Sequence, residues 1–211
     1  MTAPRRALIL VDVQLEYFAG PLEIRFPPHA SSLSAITAAL DAATDAGIPV
    51  VAVQHSAGEG APAFAPGTAA FELHPEIESR RRDDWKSITK QYGTVFAGTD
   101  LLAWLREHDV DTITLVGYMT NNCILASAAE AETHGLSAEV LSDATGAIAI
   151  SNAAGSVDAE TLHTALLALL HSHFAAVGTT AEWTAAVASS SALAGSDLGS
   201  SAVAGAALPS R

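Results

Sequence analysis

A chain of 211 residues, 49% of them hydrophobic, is long enough for one large domain with a substantial core. Its single cysteine, Cys123, excludes an internal disulfide and any multi-thiol metal site, and suits a reducing cytosol. A formal net charge of −13 repels nucleic acid and would attract cations, although solubility alone is reason enough for such a surface.

The opening "MTAPRRALILVDVQ" carries two arginines and a short apolar run, but Asp12 interrupts that run too early for a signal-peptide core. No apolar stretch reaches the roughly 18 residues of a membrane span. The expectation is a soluble, cytoplasmic protein with no membrane and no nucleic-acid partner.

In chain order, "ALILVDV" (7–13) is a continuous apolar run and predicts a strand buried on both faces. Residues 31–46 predict a helix with Leu33, Ile36 and Leu40 on one face, stopped by Gly47 and Pro49. "IPVVAVQH" (48–55) predicts a second buried strand. Residues 56–84, rich in Gly, Pro and charge, predict a long functional excursion. Its end, "SRRRDDWK", is a solvated charged loop or a grip for a substrate carboxylate. "WKSITK" (85–90) predicts a short strand, 99–108 a helix, and "DTITLVG" (111–117) another strand. A helix over 121–134 ends at Gly135, and "SAEVLSD" (137–143) returns to a strand. Residues 158–174 predict an amphipathic helix, with Leu162, Leu166 and Leu169 on its core side and Leu167 and Leu170 widening the apolar band. "FAAVGT" (174–179) predicts a last short strand. From residue 185 the chain is Ala, Ser and Gly with little charge. The division is a domain over 1–184 and a low-complexity tail over 185–211, either flexible or lying on a neighbouring subunit.

Alternating strands and helices predict a single α/β domain, a Rossmann-like three-layer sandwich with a parallel sheet. Right-handed crossovers then align every strand's C-terminal end along one edge, where ligands bind. Asp12, Lys90 and Cys123 fall at or just past the ends of three different strands. Each alone is an ordinary turn, surface or core residue; the conjunction is informative. A free thiol has a pKa of about 8.5, so a nucleophile needs activation. Cys123 in the first turn of a helix, near a lysine, is expected to have a lowered pKa. An aspartate can take the thiol proton and later deliver it to a leaving amine, with the lysine balancing charge. Backbone N–H groups at Asn121, Asn122 and Cys123 can serve a developing oxyanion.

"LILVDVQ", the lysine of "SITK" and "LVGYMTNNCILASAAEAETHG" resemble the isochorismatase-like cysteine hydrolases, over about residues 6–180. The resemblance implies a parallel six-stranded sheet flanked by helices and a catalytic triad of Asp12, Lys90 and Cys123. It also implies a non-proline cis peptide between Tyr118 and Met119, and oxyanion donors from the N–H groups of Met119 and Cys123. Nicotinamidases of this kind carry an Asp-x-His…His metal site after the second strand. This chain reads "VQHSAGEGAPAF" there, with His55 but no aspartate pattern, so no metal and no cofactor are expected.

A small-molecule substrate is expected to meet some of Tyr17, Phe18, Gln54, His55, Trp85, Tyr92, Phe96 and Asn122, all within a few residues of strand ends. The leading reading is hydrolysis of an amide-type C–N bond through a thioester. The alternatives are a vinyl-ether hydrolase with Asp12 as general acid, and a non-catalytic binding protein. A homo-oligomer, at least a dimer, is expected from the wide apolar band at 158–174, the weakly charged tail and the resemblance.

Overall fold

The computed structural model describes residues 3–209. Six parallel strands form one sheet in the order β3-β2-β1-β4-β5-β8. They are β1 (Arg6–Val11), β2 (Val50–His55), β3 (Lys86–Lys90), β4 (Thr112–Tyr118), β5 (Ser137–Gly146) and β8 (Ala176–Gly178). The predicted α/β sandwich with six parallel strands is the observed one. β1 and β4 are buried at every position; β1 reads as an apolar run after Arg6, while β4 carries two buried threonines, Thr112 and Thr114. The order reverses direction between β1 and β4, so a crevice opens at their C-terminal ends.

Helices cover both faces. On one side lie α3 (Leu101–Glu107), α4 (Leu125–Ala131) and α5 (Ala159–Leu169), around a core that includes Ile9, Leu115, Ile124 and Leu170. On the other lie α1 (His29–Asp45), the short α2 (Pro75–Glu78) and α6 (Thr180–Ala188), around Leu10, Ile36, Val116 and Trp183. An antiparallel hairpin of β6 (Ile150–Asn152) and β7 (Gly155–Val157) stands apart from the sheet. The sequence reading missed it, because "ISNAAGSV" lacks the alternation that marks a half-buried strand.

Two expectations need correction, and a third can be placed in the structure. The helix predicted over 121–134 is composite: a π-type turn at Thr120–Ile124, α4, then a 3-10 turn at Glu132–His134 closed by left-handed Gly135 (φ 74°). α5 buries a different face from the one predicted. His163 and Leu170 are inside and Leu167 packs on the core, while Leu169 is 46% exposed. Apolar residues nearly encircle this helix, so periodicity could not choose a face, and a histidine took a core position.

The third concerns the tail. Composition changes at residue 185, in the middle of a helix. α6 runs through that point, and the chain beyond it lies against its own domain before a last helix, α7 (Leu198–Ala206). Ser191 accepts a hydrogen bond from Arg6 at 2.7 Å, and Leu193 sits so close over Gly178 that an added Cβ would stand 2.9 Å from it.

Candidate active site

Asp12 immediately follows β1 and has φ 51°, the left-handed region that aspartate tolerates better than most residues. Its N–H still donates to the Val53 carbonyl at 3.0 Å, which keeps it beside β2. Gln14, fully buried, ties the same loop to the end of β2. Its Nε2 donates to the carbonyls of His55 (3.1 Å) and Phe71 (2.8 Å), and its Oε1 accepts from the His55 N–H (2.8 Å). Lys90 ends β3 in register with His55. Three neighbouring strands thus deliver an aspartate, a histidine and a lysine to one edge.

β4 supplies the cysteine. Gly117, with φ 106°, passes so close to β1 that a Cβ would lie 2.1 Å from the Val11 carbonyl oxygen. Only glycine lets the two strands meet one residue before Asp12. The Tyr118–Met119 peptide is cis. The π-type turn that follows brings the N–H of Ile124 to the Met119 carbonyl at 3.1 Å, and Cys123 sits within that turn.

The structure brings Asp12, Lys90 and Cys123 together in near-complete burial, at 0%, 1% and 2% exposure. The Lys90 ammonium is the hub. It lies 2.8 Å from Asp12 Oδ2 and 3.2 Å from Cys123 Sγ, with the Tyr92 carbonyl at 3.2 Å and His55 Nδ1 at 3.3 Å. Three N–H groups face four acceptors. The Asp12 contact is an ion pair outside hydrogen-bond alignment, and the Cys123 thiol is the carboxyl group's other neighbour in this centre.

This environment reverses the expectation of a low-pKa thiol. Burial pushes Cys123 up to about 12, the Asp12 charge pushes the same way, and Lys90 opposes both. Burial also raises Asp12, again against Lys90. A resting Cys123 thiol follows, with Lys90 between it and the Asp12 carboxyl group. His55 is lowered to about 4, first by burial and then by Lys90, so it is neutral at ordinary pH.

Around this centre, Tyr17 is buried, and burial first and Asp12 second push its hydroxyl well above the ordinary phenol value. Phe64, which the sequence reading passed over, stacks on Tyr17 at 5.2 Å and edge-on to His55 at 5.1 Å. It lay hidden in the Gly/Pro-rich excursion. Tyr92 offers its carbonyl to Lys90 while its side chain is 61% exposed. Exposed Asn122 lies against Gly93, two residues beyond Gln91 in the loop after Lys90. Phe18 packs on Tyr118 and His74, and Gln54 donates to the Phe71 carbonyl at 3.0 Å, so both support the walls.

Trp85 and Phe96 do not join them. Trp85 precedes β3, about 16 Å of extended chain from Lys90, and packs near Ile48, Pro49 and Trp104. Phe96 is a core residue against His134. Nearness to a strand in sequence says nothing about which end of the strand a residue serves. Arg81 and Arg82 of the charged loop are surface groups, and Arg81 is paired with Glu78. Among the described residues, no three His, Cys, Asp or Glu side chains converge as a metal-binding set.

A family model described as the isochorismatase domain matches residues 6–182. The chain belongs to the isochorismatase family. It is similar to a solved structure assigned as an isochorismatase from Burkholderia xenovorans LB400, with a TM-score of 0.94 and 45% identity over 98% of both chains. It is 31% identical over 176 residues to the uncharacterized family member YddQ of Bacillus subtilis, covering 82% of this chain and 96% of that one. It is 28% identical over 162 residues to the nicotinamidase/pyrazinamidase of Mycobacterium tuberculosis, covering 68% and 87% respectively. The chain is therefore an isochorismatase-family hydrolase.

Proposed function

We propose that this hydrolase cleaves an amide-type C–N bond, in an amide, ureide or lactam, through a thioester on Cys123. One observation carries the reading. Lys90 Nζ stands between Asp12 Oδ2 at 2.8 Å and Cys123 Sγ at 3.2 Å, while the Asp12 oxygens have no aligned hydrogen bond among the described residues. A buried, under-satisfied carboxylate beside a thiol is a ready proton acceptor.

As Cys123 Sγ attacks the carbonyl carbon, Asp12 takes the thiol proton and Lys90 balances the charge moving onto sulfur. The carbonyl oxygen becomes an oxyanion held by the N–H groups of Met119 and Cys123. When the tetrahedral intermediate collapses, the C–N bond breaks and Asp12 returns the proton to the departing nitrogen. Water, deprotonated by Asp12, then attacks the thioester. The acid forms and the proton returns to Cys123. A resting thiol suits this cycle better than a standing thiolate, since the proton taken at attack is the one the leaving group needs. The similarity to a nicotinamidase supports a nitrogen leaving group.

Tyr17, His55 and Phe64 line the substrate side of the centre in this reading. We further propose that the enzyme works without metal or cofactor, in the cytoplasm, on a small molecule, and as a homo-oligomer. Leu169, Leu198 and Val203 are exposed apolar groups available to a second copy.

The test is a screen of small amides, ureides and lactams for ammonia or amine release, with Cys123→Ala as control. Release by the native chain that Cys123→Ala loses is the expected result. Full activity in Cys123→Ala would overturn the thioester route and leave vinyl-ether hydrolysis through Asp12. A native chain inert across the screen, with an unreactive Cys123, would favour a binding protein on this fold.

A further inference from the structure

Two residues outside the catalytic set converge on the nucleophile turn. Thr120, fully buried, is the first residue of that turn and directly follows Met119. Its Oγ1 lies 2.9 Å from Nδ1 of His163, which projects from α5 into the core and is 3% exposed. The other ring nitrogen, Nε2, lies 3.0 Å from the backbone carbonyl of Ser142 in β5. The Phe26 ring packs edge-on against the imidazole, with centroids 5.6 Å apart.

The tautomer follows from these partners. A carbonyl oxygen only accepts, so Nε2 carries the proton. Burial keeps the ring neutral, so Nδ1 has a free lone pair and the Thr120 hydroxyl must donate to it. The imidazole therefore forms a directional link from β5 to the turn that holds Met119 and Cys123. Position 163 is where an apolar α5 would place a leucine. A histidine there is costly unless both nitrogens are matched, and both are.

We propose that His163, through the Thr120 hydroxyl, is a positioning residue that fixes the Met119–Cys123 turn for reaction. The inference rests on Cys123 being the nucleophile. Its role is to hold the thiol and the Met119 N–H in register with each other and with Asp12. A displacement near 1 Å at such a centre costs on the order of 100-fold in rate.

The test uses Thr120→Val, which keeps the shape and removes the donor, and Thr120→Ser, which keeps the hydroxyl. Cys123 is the one thiol in the chain, so its alkylation rate in the folded protein reads its placement without any substrate. Thr120→Val is expected to change that rate several-fold at unchanged secondary structure. On an amide found in the screen, it is expected to lower kcat by about 10- to 100-fold with KM little changed. Thr120→Ser should recover most of both. Native alkylation and turnover in Thr120→Val would overturn the proposal, as would a loss in Thr120→Ser equal to that in Thr120→Val. If Cys123→Ala retains turnover, the thioester chemistry fails, while the alkylation series still judges the clamp on its own.

Discussion

The sheet holds two buried ion pairs, one toward each end, and they are built to opposite purposes. Toward the N-terminal end, Arg6 and Glu139 are bidentate, at 2.9 and 2.7 Å. Thr114 Oγ1 and Trp183 Nε1 also donate to Glu139, at 2.8 and 2.9 Å, and Arg6 gives a further bond to the Ser191 carbonyl. Both Glu139 oxygens and the Nε and Nη2 of Arg6 are matched, so the pair binds β1, β4, β5, α6 and the C-terminal segment into one unit. At the C-terminal end, Lys90 meets Asp12 at 2.8 Å, but the carboxylate has no aligned hydrogen bond and the lysine divides itself among four neighbours. A saturated pair is structure. An unsaturated pair keeps capacity to accept a proton, and the chemistry is proposed there.

Breaking each pair should therefore fail in a different currency. Asp12→Asn removes the proton acceptor but keeps the shape. It is expected to lower turnover by about 100- to 10,000-fold, the usual range for general acid–base help, with the fold intact by circular dichroism. Near-native kinetics in a folded Asp12→Asn enzyme would take Asp12 out of the mechanism.

Arg6→Met is the converse. It leaves Glu139 charged, buried and short of its main partner, which costs about 3–5 kcal/mol. That is a large share of a typical domain's stability of about 5–15 kcal/mol. Urea unfolding should show a much lower midpoint, while turnover per folded molecule stays native. An unchanged midpoint would show that the network does not hold the sheet's N-terminal end, and lost turnover in folded protein would couple the two pairs.

The contrast also marks what the sequence could reveal. Asp12, Lys90 and Cys123 were legible because each lies at or just past the C-terminal end of a strand, and the parallel topology collects strand ends. The motif spacing around Cys123 made the family legible too. The Arg6–Glu139 pair was not, because its partners are 133 residues apart and each looks like a surface charge. His163 was hidden for a related reason: hydrogen-bond partners at Thr120 and Ser142 make a core position acceptable to a polar ring, and periodicity carries no trace of them. Gln14 stood in the "LVDVQ" stretch without an assigned role, since its partners, His55 and Phe71, are tertiary neighbours. The thiol pKa was misjudged because burial is a property of the packed chain. A helix start and a lysine are visible in sequence, and desolvation is not.

That misjudgement gives the next measurement. With Cys123 at about 12, alkylation should keep rising through pH 10 without a plateau near the free-thiol value of about 8.5. Asp12→Asn removes a charge that holds the proton on sulfur, so its inflection should move down in pH. Linkage has a definite sign as well. The folded thiol keeps its proton above the ordinary value of 9.0, so its stabilising contribution is complete below 9.0 and is lost as pH rises from there to about 12. A plateau near or below pH 8.5 in the native chain would restore the standing thiolate.

The smallest expected effect is none. Exhaustive chelation should leave amide-cleaving activity unchanged, and the argument lies in the hub of the unsaturated pair. His55 is the imidazole beside the centre, and its Nδ1 lies 3.3 Å from the Lys90 ammonium. That nitrogen accepts from a cation, and a metal bound there would have to displace Lys90 or share space with its positive charge. The His55 ring packs edge-on with Phe64, and Val53, two residues earlier on the same face of β2, brings no side-chain oxygen. His74, the next histidine along, uses its Nδ1 to accept from the Glu76 N–H at 3.2 Å, as the cap of α2. A single imidazole already committed to a lysine is a poor site for zinc, iron or manganese, each of which takes three or more protein ligands in catalytic centres. Activity measured after dialysis against a chelator should match the untreated enzyme within error. Activity lost to the chelator and restored by one of those metals would mean that Lys90 yields His55 on metal binding, and that the two pairs differ by a metal as well as by their hydrogen bonds.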